Sequence, residues 1–407
     1  MSSSTKSSGS SGSQGFDESN LVGKTLNNKY LIIYKIGKGT FSTVWLTMDL
    51  KTKEYYAVKV IYPEDYNVGM AEADLLKKIR KANCKYFNNL VDDFTYKFEN
   101  ENYCCLVFEL LAGSVYDLIR VGKYSDGLPL PIVKSIIYQL FVSLDILTGK
   151  FNILHTDIKP ENILVVGTSN RISEIIGICN KSKQLKKKPC RRTVTDLYEK
   201  FNEVSDRFRD YGSDDDESYD SNGSHNNKRN KDITLIKEEH IANIIVKLSD
   251  FGNCLYLDKK TYKIQTRYYR APEVILECEF SDKCDTWSVG CLIYELLTGK
   301  TLFNPRRKKR LNTDRAHLLS IMSILGPLPE KLINKSGRKV ELFRNNGLLK
   351  GLTEEIKYTS LESKLANFLH DDKDLKETLS LLKLLLQYDP KDRPEIKTIL
   401  ADRWFKN

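Results

Sequence analysis

The spacing of apolar residues changes once along this chain, and that change limits the fold more than any other feature. From Tyr30 the apolar residues fall in short β-branched and aromatic runs, LIIYKIG, STVWLTMDL, EYYAVKVIY and YCCLVFELL, separated by turn-forming residues. This is the pattern of an antiparallel sheet. Between the third and fourth runs, MAEADLLKKIRK has the spacing of one amphipathic helix. Beyond about Val115 the runs lengthen, and PLPIVKSIIYQLFVSLDILTG, KCDTWSVGCLIYELLTG, HLLSIMSIL and LKETLSLLKLLLQY all read as helices. A small sheet over about 30–111 followed by a large helical part over about 112–407 predicts an α+β architecture in two lobes.

Two stretches break this order. Residues 1–20 are Ser/Gly-rich and carry too little apolar surface to offset ordering entropy, so a disordered tail is expected. Residues 165–243 hold a Lys/Arg cluster (Lys186, Lys187, Lys188, Arg191, Arg192), an acidic run from Ser213 to Glu217 and the polar tract SNGSHNNKRNK. They read as a low-complexity spacer inserted into the helical part, dispensable for whatever the flanking motifs do. The 64 Lys and Arg against 54 Asp and Glu give a formal charge of +10. Part of that excess sits in the spacer, and no nucleic-acid-binding module accompanies it, so direct contact with nucleic acid is not expected. The nine cysteines show no CxxC pair or metal-like spacing, which fits a reducing, intracellular location, cytoplasmic or nuclear. No segment approaches roughly 18 uninterrupted apolar residues, and no membrane contact is expected.

The residues that carry chemistry recur in a fixed order. IGKGTFSTV, that is Ile36, Gly37, Lys38, Gly39, Thr40, Phe41, Ser42, Thr43 and Val44, places two glycines in a hairpin whose N–H groups can approach a triphosphate. Lys59 lies mid-strand among apolar residues, where an ammonium is costly unless paired, and Glu72 on the following helix is its expected partner. HTDIKPENIL then supplies Asp157 to orient a hydroxyl nucleophile, Lys159 to offset phosphoryl charge, and Asn162 as an oxygen ligand for Mg²⁺. SDFGN adds Asp250 as a second Mg²⁺ ligand, with Phe251 packed beneath it. Glu273 of APE is expected to pair with Arg393, and Asp285 to support the catalytic loop. His155 is placed in an apolar spine, and His317 and His370 are read as packing or solvated residues.

At these residues the chain resembles the protein kinases, and within them the CMGC group. GKGTFSTVWLTMDL, GLPLPIVKSIIYQL, ILHTDIKPENIL, IQTRYYR and the long spacer are similar to the SR-protein kinases, which phosphorylate serines in Arg/Ser-rich splicing factors. The resemblance implies the two-lobed kinase fold, ATP and Mg²⁺ as cofactors, protein substrates with Arg/Ser-rich splicing factors among them, and a monomer. It also implies a catalytic role for Thr266 of IQTRYYR beside Asp157 and Lys159, and a nucleotide-binding role for Glu109 at the end of the YCCLVFELL run. Thr156 stands where most kinases have the Arg that answers an activation-loop phosphate, so activity without such phosphorylation is expected.

Other stretches depart from that pattern. DFG, RAPEVIL and AHLLSIMSILGPLP resemble the LAMMER-type kinases. Lys300, Ala316 and Ser323 stand where the SR-protein kinases have an acidic docking groove, and Arg306–Arg310 is a basic run. A groove of that charge opposes Arg/Ser repeats, which points to a kinase that releases its substrate after each transfer. Glu109 and Asp117 are the acidic side chains expected to line the cleft for serines near basic residues. The alternatives are a LAMMER-like kinase with unrelated substrates, a pseudokinase or scaffold working through the spacer, and a nucleic-acid-binding protein. Intact Lys59, Asp157, Asn162 and Asp250 argue against the scaffold.

Overall fold

The computed structural model describes residues 18–209, 235–259, 261–305 and 310–406. Residues 1–17 of the expected tail, the acidic run of the spacer and Arg306–Lys309 lie outside the described residues. The N-terminal lobe is a six-stranded antiparallel sheet in the order β1-β2-β3-β4-β6-β5. Its strands are β1 (Thr25–Leu26), β2 (Tyr30–Lys38), β3 (Ser42–Asp49), β4 (Tyr55–Ile61), β5 (Leu90–Phe98) and β6 (Glu101–Glu109). Four of them coincide with the apolar runs of the sequence. The strand β5, in which Asp92 and Asp93 interrupt the alternation, has no counterpart among those runs.

Strand alternation decides which side chains reach the active centre. On β6, Cys104, Leu106 and Phe108 join the core shared with the helical lobe, whereas Tyr103, Cys105 and Val107 enter a second core on the opposite face. The adjacent cysteines therefore point to opposite faces. On β4, Val58 and Val60 enter the second core, which leaves Lys59 on the inner face. Helix α1 (Tyr66–Arg80) covers that face and comes close to it at Gly69, where a Cβ would lie 2.7 Å from the Ile61 Cδ1 and 2.9 Å from the Cys104 Cβ. That close approach brings Glu72 on α1 to Lys59 on β4.

The helical lobe begins after the short strand β7 (Gly113–Ser114) with α2 (Val115–Arg120), and its centre is α3 (Leu130–Phe151). By length and composition α3 could cross a membrane, but ten of its residues are buried in the core. It packs against α10 (Lys283–Thr298) and a C-terminal helix, Ile396–Leu400. The strands β8 (Ile153–Leu154), β9 (Ile163–Val165), β10 (Val246–Leu248) and β11 (Leu255–Tyr256) form small pairs that carry the catalytic loop and the segment after Asp250. The short helix α9 (Pro272–Ile275) follows that segment. Beyond α10 lies α11 (Thr313–Leu325).

The spacer departs from expectation. Residues 170–209 fold into α4 (Asn170–Lys181), α5 (Lys183–Lys187), α6 (Arg191–Thr195) and α7 (Tyr198–Arg209), and α8 (Glu239–Ala242) precedes β10. Ile172, Ile175, Cys179, Leu185, Val194, Phe201 and Val204 are buried in the second core against β2, β3, β4 and β6. The reason is legible afterwards: 172, 175, 176 and 179 follow the helical i, i+3, i+4, i+7 spacing, an apolar stripe hidden among charged neighbours. The Tyr34 ring meets those of Tyr198 and Phe201 at 5.6 and 6.1 Å, and Tyr55 Oη donates to Asn180 at 3.0 Å. This part of the spacer is thus the outer wall of the sheet and not a dispensable linker.

Replacing Phe201, which is fully buried, by Ala is expected to cost about 3–5 kcal/mol, read as a lower urea midpoint with an unchanged slope. An unchanged midpoint would return the spacer helices to the role of a passive linker.

Candidate active site

Each catalytic side chain is set by a neighbour from another element. Lys59 Nζ donates to Glu72 Oε1 and Oε2 at 3.1 and 2.9 Å and to Asp250 Oδ1 at 3.0 Å. Burial alone would discharge this ammonium, but Glu72 and then Asp250 outweigh it and hold it charged well above the ordinary lysine range. One cation thereby joins the sheet, α1 and the helical lobe. Asp250 occupies the left-handed region at φ 64° and ψ 71°, and Phe251 beneath it packs edge-on to Phe87 and His155 at 5.8 and 5.5 Å.

The catalytic loop is suspended from α10. Both oxygens of the buried Asp285 accept backbone N–H groups, from His155 at 2.8 Å and from Thr156 at 2.9 Å. Thr156 is held at φ 65°, a costly conformation for a β-branched residue, and its hydroxyl donates to the Asn253 carbonyl at 2.7 Å. The loop is therefore tied directly to the segment after Asp250. Downstream, Asp157 Oδ1 accepts from the Thr266 hydroxyl at 2.6 Å, and Lys159 Nζ lies 2.9 Å from Asp157 Oδ2 and 3.2 Å from Thr266 Oγ1. Burial would raise the Asp157 carboxyl, yet the Thr266 hydroxyl and the Lys159 ammonium overcome it and hold it below the usual carboxylate range. Asp157, Lys159 and Thr266, expected as the catalytic set, form one hydrogen-bonded cluster.

Asn162 donates through Nδ2 to the Asp157 carbonyl and to Asp157 Oδ2, at 2.8 and 3.0 Å, which leaves its side-chain oxygen for a cation. Among the described residues no group of three or more His, Cys, Asp or Glu side chains could hold a metal ion alone. Two oxygens, from Asn162 and Asp250, suit Mg²⁺, which is bound by few protein ligands and completes its shell with phosphates and water. The hairpin Ile36–Val44 lies across the end of the sheet. Gly39 N donates to the Ser42 carbonyl at 2.8 Å, and the tip from Lys38 to Phe41 is exposed.

Glu109, counted with the nucleotide-binding residues, engages Lys247 through its carboxylate. Asp117, expected to line the cleft, caps α2, accepting from the Ser114 backbone at 2.8 Å in a reciprocal capping box. Two carboxylates missing from the sequence reading are raised above their ordinary range. Glu161, next to the catalytic loop, is raised by desolvation and then by Asp157 and Asp117. Glu295 on α10 is buried, accepts from Tyr269 Oη at 2.6 Å, and is pushed by burial up to about 7 despite that bond. Glu161 lies inside the KPEN motif and could have been noticed there; nothing local marks Glu295. The Glu273–Arg393 pair is fully buried and bidentate at 2.6 and 2.8 Å, as expected from the sequence.

A protein kinase domain model matches residues 30–199 and 231–405, the same span in which this geometry is found. The chain belongs to the protein kinase family. The kinase is similar to L205 of Acanthamoeba polyphaga mimivirus, at 30% identity over 97% of this chain and 90% of that protein. It is also similar to the serine/threonine-protein kinase SRPK of Physarum polycephalum, at 31% identity over 91% of this chain and 84% of that one. Protein kinase dsk1 of Schizosaccharomyces pombe is 28% identical over 93% and 81%. It is a serine/threonine protein kinase of the SR-protein-kinase-like branch of the CMGC group.

Its residues divide the work of phosphoryl transfer accordingly. Mg²⁺-ATP, which kinases of this family generally use, supplies the phosphoryl group and neutralises its charge. By the family's pattern, Asp157 would orient the substrate hydroxyl and accept its proton, Lys159 would offset charge on the oxygens around the reacting phosphorus, and Lys59, aimed by Glu72, would hold phosphate. The Thr266 hydroxyl, bonded to Asp157 Oδ1, would keep that carboxylate ionised and turned toward the nucleophile.

Asp157→Ala is expected to lower kcat by about 10²–10⁴-fold with nucleotide binding retained, whereas Lys59→Met should act through phosphate positioning. Thr266→Val removes a hydrogen bond to the ionised carboxylate, so the Asp157 pKa rises and the acidic limb of kcat moves to higher pH. A limb that stays in place would deny Thr266 that role.

Proposed function

We propose that this kinase is active without phosphorylation of its activation segment, uses Mg²⁺-ATP, and phosphorylates intracellular protein serines flanked by basic residues, one transfer per encounter. The observation that carries the first part is how the segment before Glu273 is pinned. Gln265, buried at φ 65°, donates to the Cys284 carbonyl at 2.9 Å and to the Ser288 hydroxyl at 2.8 Å, and accepts from Ala271 N at 3.0 Å. Arg270 donates to the carbonyls of Ile264 and Gln265. Together with the Thr156–Asn253 bond, these contacts do the ordering that a phosphate on the segment supplies elsewhere.

A preference for basic neighbours is supported by the carboxyls of Glu161 and Glu295. Desolvation raises both carboxyls, exposed Glu161 beside the catalytic loop and buried Glu295 bonded to Tyr269, and a carboxyl raised in this way gains when a guanidinium arrives. One-at-a-time transfer follows from the distal groove. Ala316 is buried on α11, the Ser323 hydroxyl donates to the Ser320 carbonyl at 2.8 Å, and Lys300 is exposed beyond the end of α10. None of the three is acidic. Splicing factors with Arg/Ser tracts remain possible substrates on this reading, but without attraction along the tract.

The test is single-turnover phosphorylation of a long Arg/Ser domain with enzyme in excess, chased with unlabelled substrate. Release after each transfer is expected, so labelling of the original molecules should stop; continued multi-site labelling would refute it. Glu161→Gln and Glu295→Gln should each lower kcat/KM for an Arg-flanked serine peptide by about tenfold, the scale of one charged hydrogen bond, with little change for an Ala-flanked peptide.

A further inference from the structure

The face formed by the start of α11 and the bridged loop after it carries a cluster of cations without acidic partners. Phe343 and Leu349 form an isolated antiparallel bridge, and the chain on either side is pinned by basic side chains. Arg315 Nη1 donates to the Lys350 carbonyl at 2.8 Å and Arg344 Nη2 to the Leu352 carbonyl at 2.9 Å, while Lys350 Nζ donates to the Val340 carbonyl. Arg310 lies against Gly351, where a Cβ would come within 2.3 Å of the Arg310 carbonyl oxygen. Among the described residues none of Arg310, Arg315, Arg344 and Lys350 pairs with a carboxylate.

The carboxylates at this face are already engaged. Asp314 receives Arg267 at 2.6 Å and Arg338 at 2.8 Å, and Glu341 is held by Arg338. Exposed Glu354 and Glu355 follow along the chain, but Arg310, Arg315, Lys339, Arg344 and Lys350 still outnumber them. The cationic heads are tied to three separate carbonyls, at 340, 350 and 352, so they present charge along a strip and do not converge on one point. Through Asp314–Arg267 the strip adjoins the segment that holds Thr266.

We propose that this strip docks an Asp/Glu-rich stretch of the protein substrate, so that substrates of this kinase join a basic phosphorylation site to a separate acidic docking segment. The proposal rests on the reading of the catalytic cleft given above. A strip of spaced cations matches an extended chain of carboxylates, and its attraction should be strongest at low ionic strength.

Two measurements separate docking from catalysis. In the first, a fluorescent twelve-residue Asp/Glu peptide lacking any serine is titrated into the full-length kinase. Binding is expected to weaken at least tenfold in Arg344→Glu/Lys350→Glu and in Arg310→Glu, whose side chain makes no hydrogen bond or ion pair among the described residues and whose loss should leave folding intact. In the second, an Arg-flanked serine peptide is compared with the same peptide extended by that acidic segment through a flexible linker. The extension should lower KM about tenfold with kcat unchanged, and a basic extension should not. Equal binding by wild type and both variants would overturn the docking strip, as would tighter binding of a phosphoserine peptide or an RNA oligomer than of the acidic peptide. Failure to phosphorylate the unextended basic peptide, with acidic-peptide binding intact and variant-sensitive, would overturn the cleft reading and leave the strip standing.

Discussion

A single half-buried ammonium decides the working geometry of this kinase. Lys59 would be expelled or neutralised in its apolar strand were it not gripped by Glu72 and Asp250 together. Because those two carboxylates belong to different lobes, the charge balance of one side chain sets the position of α1 against the sheet and of the sheet against the catalytic loop. Opening the lobes would leave the Lys59–Glu72 pair intact within the sheet lobe but would take Asp250 away from its ammonium. Closure is therefore favoured by electrostatics before any nucleotide arrives. The buried Asp285 acts in a similar way from the other side, giving the loop amides acceptors that its irregular backbone lacks.

The sheet's remaining face needs its own cover. Left uncovered, the second core, with Trp45, Val58, Val60, Cys105 and Val107 among its members, would expose a large apolar surface. The spacer helices supply the cover, and they also reach the nucleotide hairpin, since Arg171 Nη2 donates to the Ile36 carbonyl at 3.2 Å. A segment inserted in the helical lobe thus stiffens the strand from which the hairpin springs.

The catalytic set could be read from the sequence because its members are short, local and ordered along the chain. Asp157, Lys159, Asn162 and Asp250 lie in two motifs, and the cost of an unpaired ammonium in an apolar strand pointed from Lys59 to Glu72 on the next helix. What could not be read were partnerships between distant residues. The Thr156–Asn253 bond, the capture of Glu109 by Lys247 and the burial of Glu295 depend on which elements meet, and no local spacing encodes that. The strand β5 was hidden by its paired aspartates. The spacer was misjudged for a related reason: its average composition is polar, while packing depends on where the few apolar residues fall.

The insertion also has a closed base. Val166 N donates to the Ile245 carbonyl at 2.9 Å, and Asn170 N to the Leu235 carbonyl at 3.0 Å, so the chain leaves and re-enters the domain at nearly the same place. The insertion therefore adds its helices to the sheet without parting β9 from β10, the paired strands that carry the catalytic loop and Asp250.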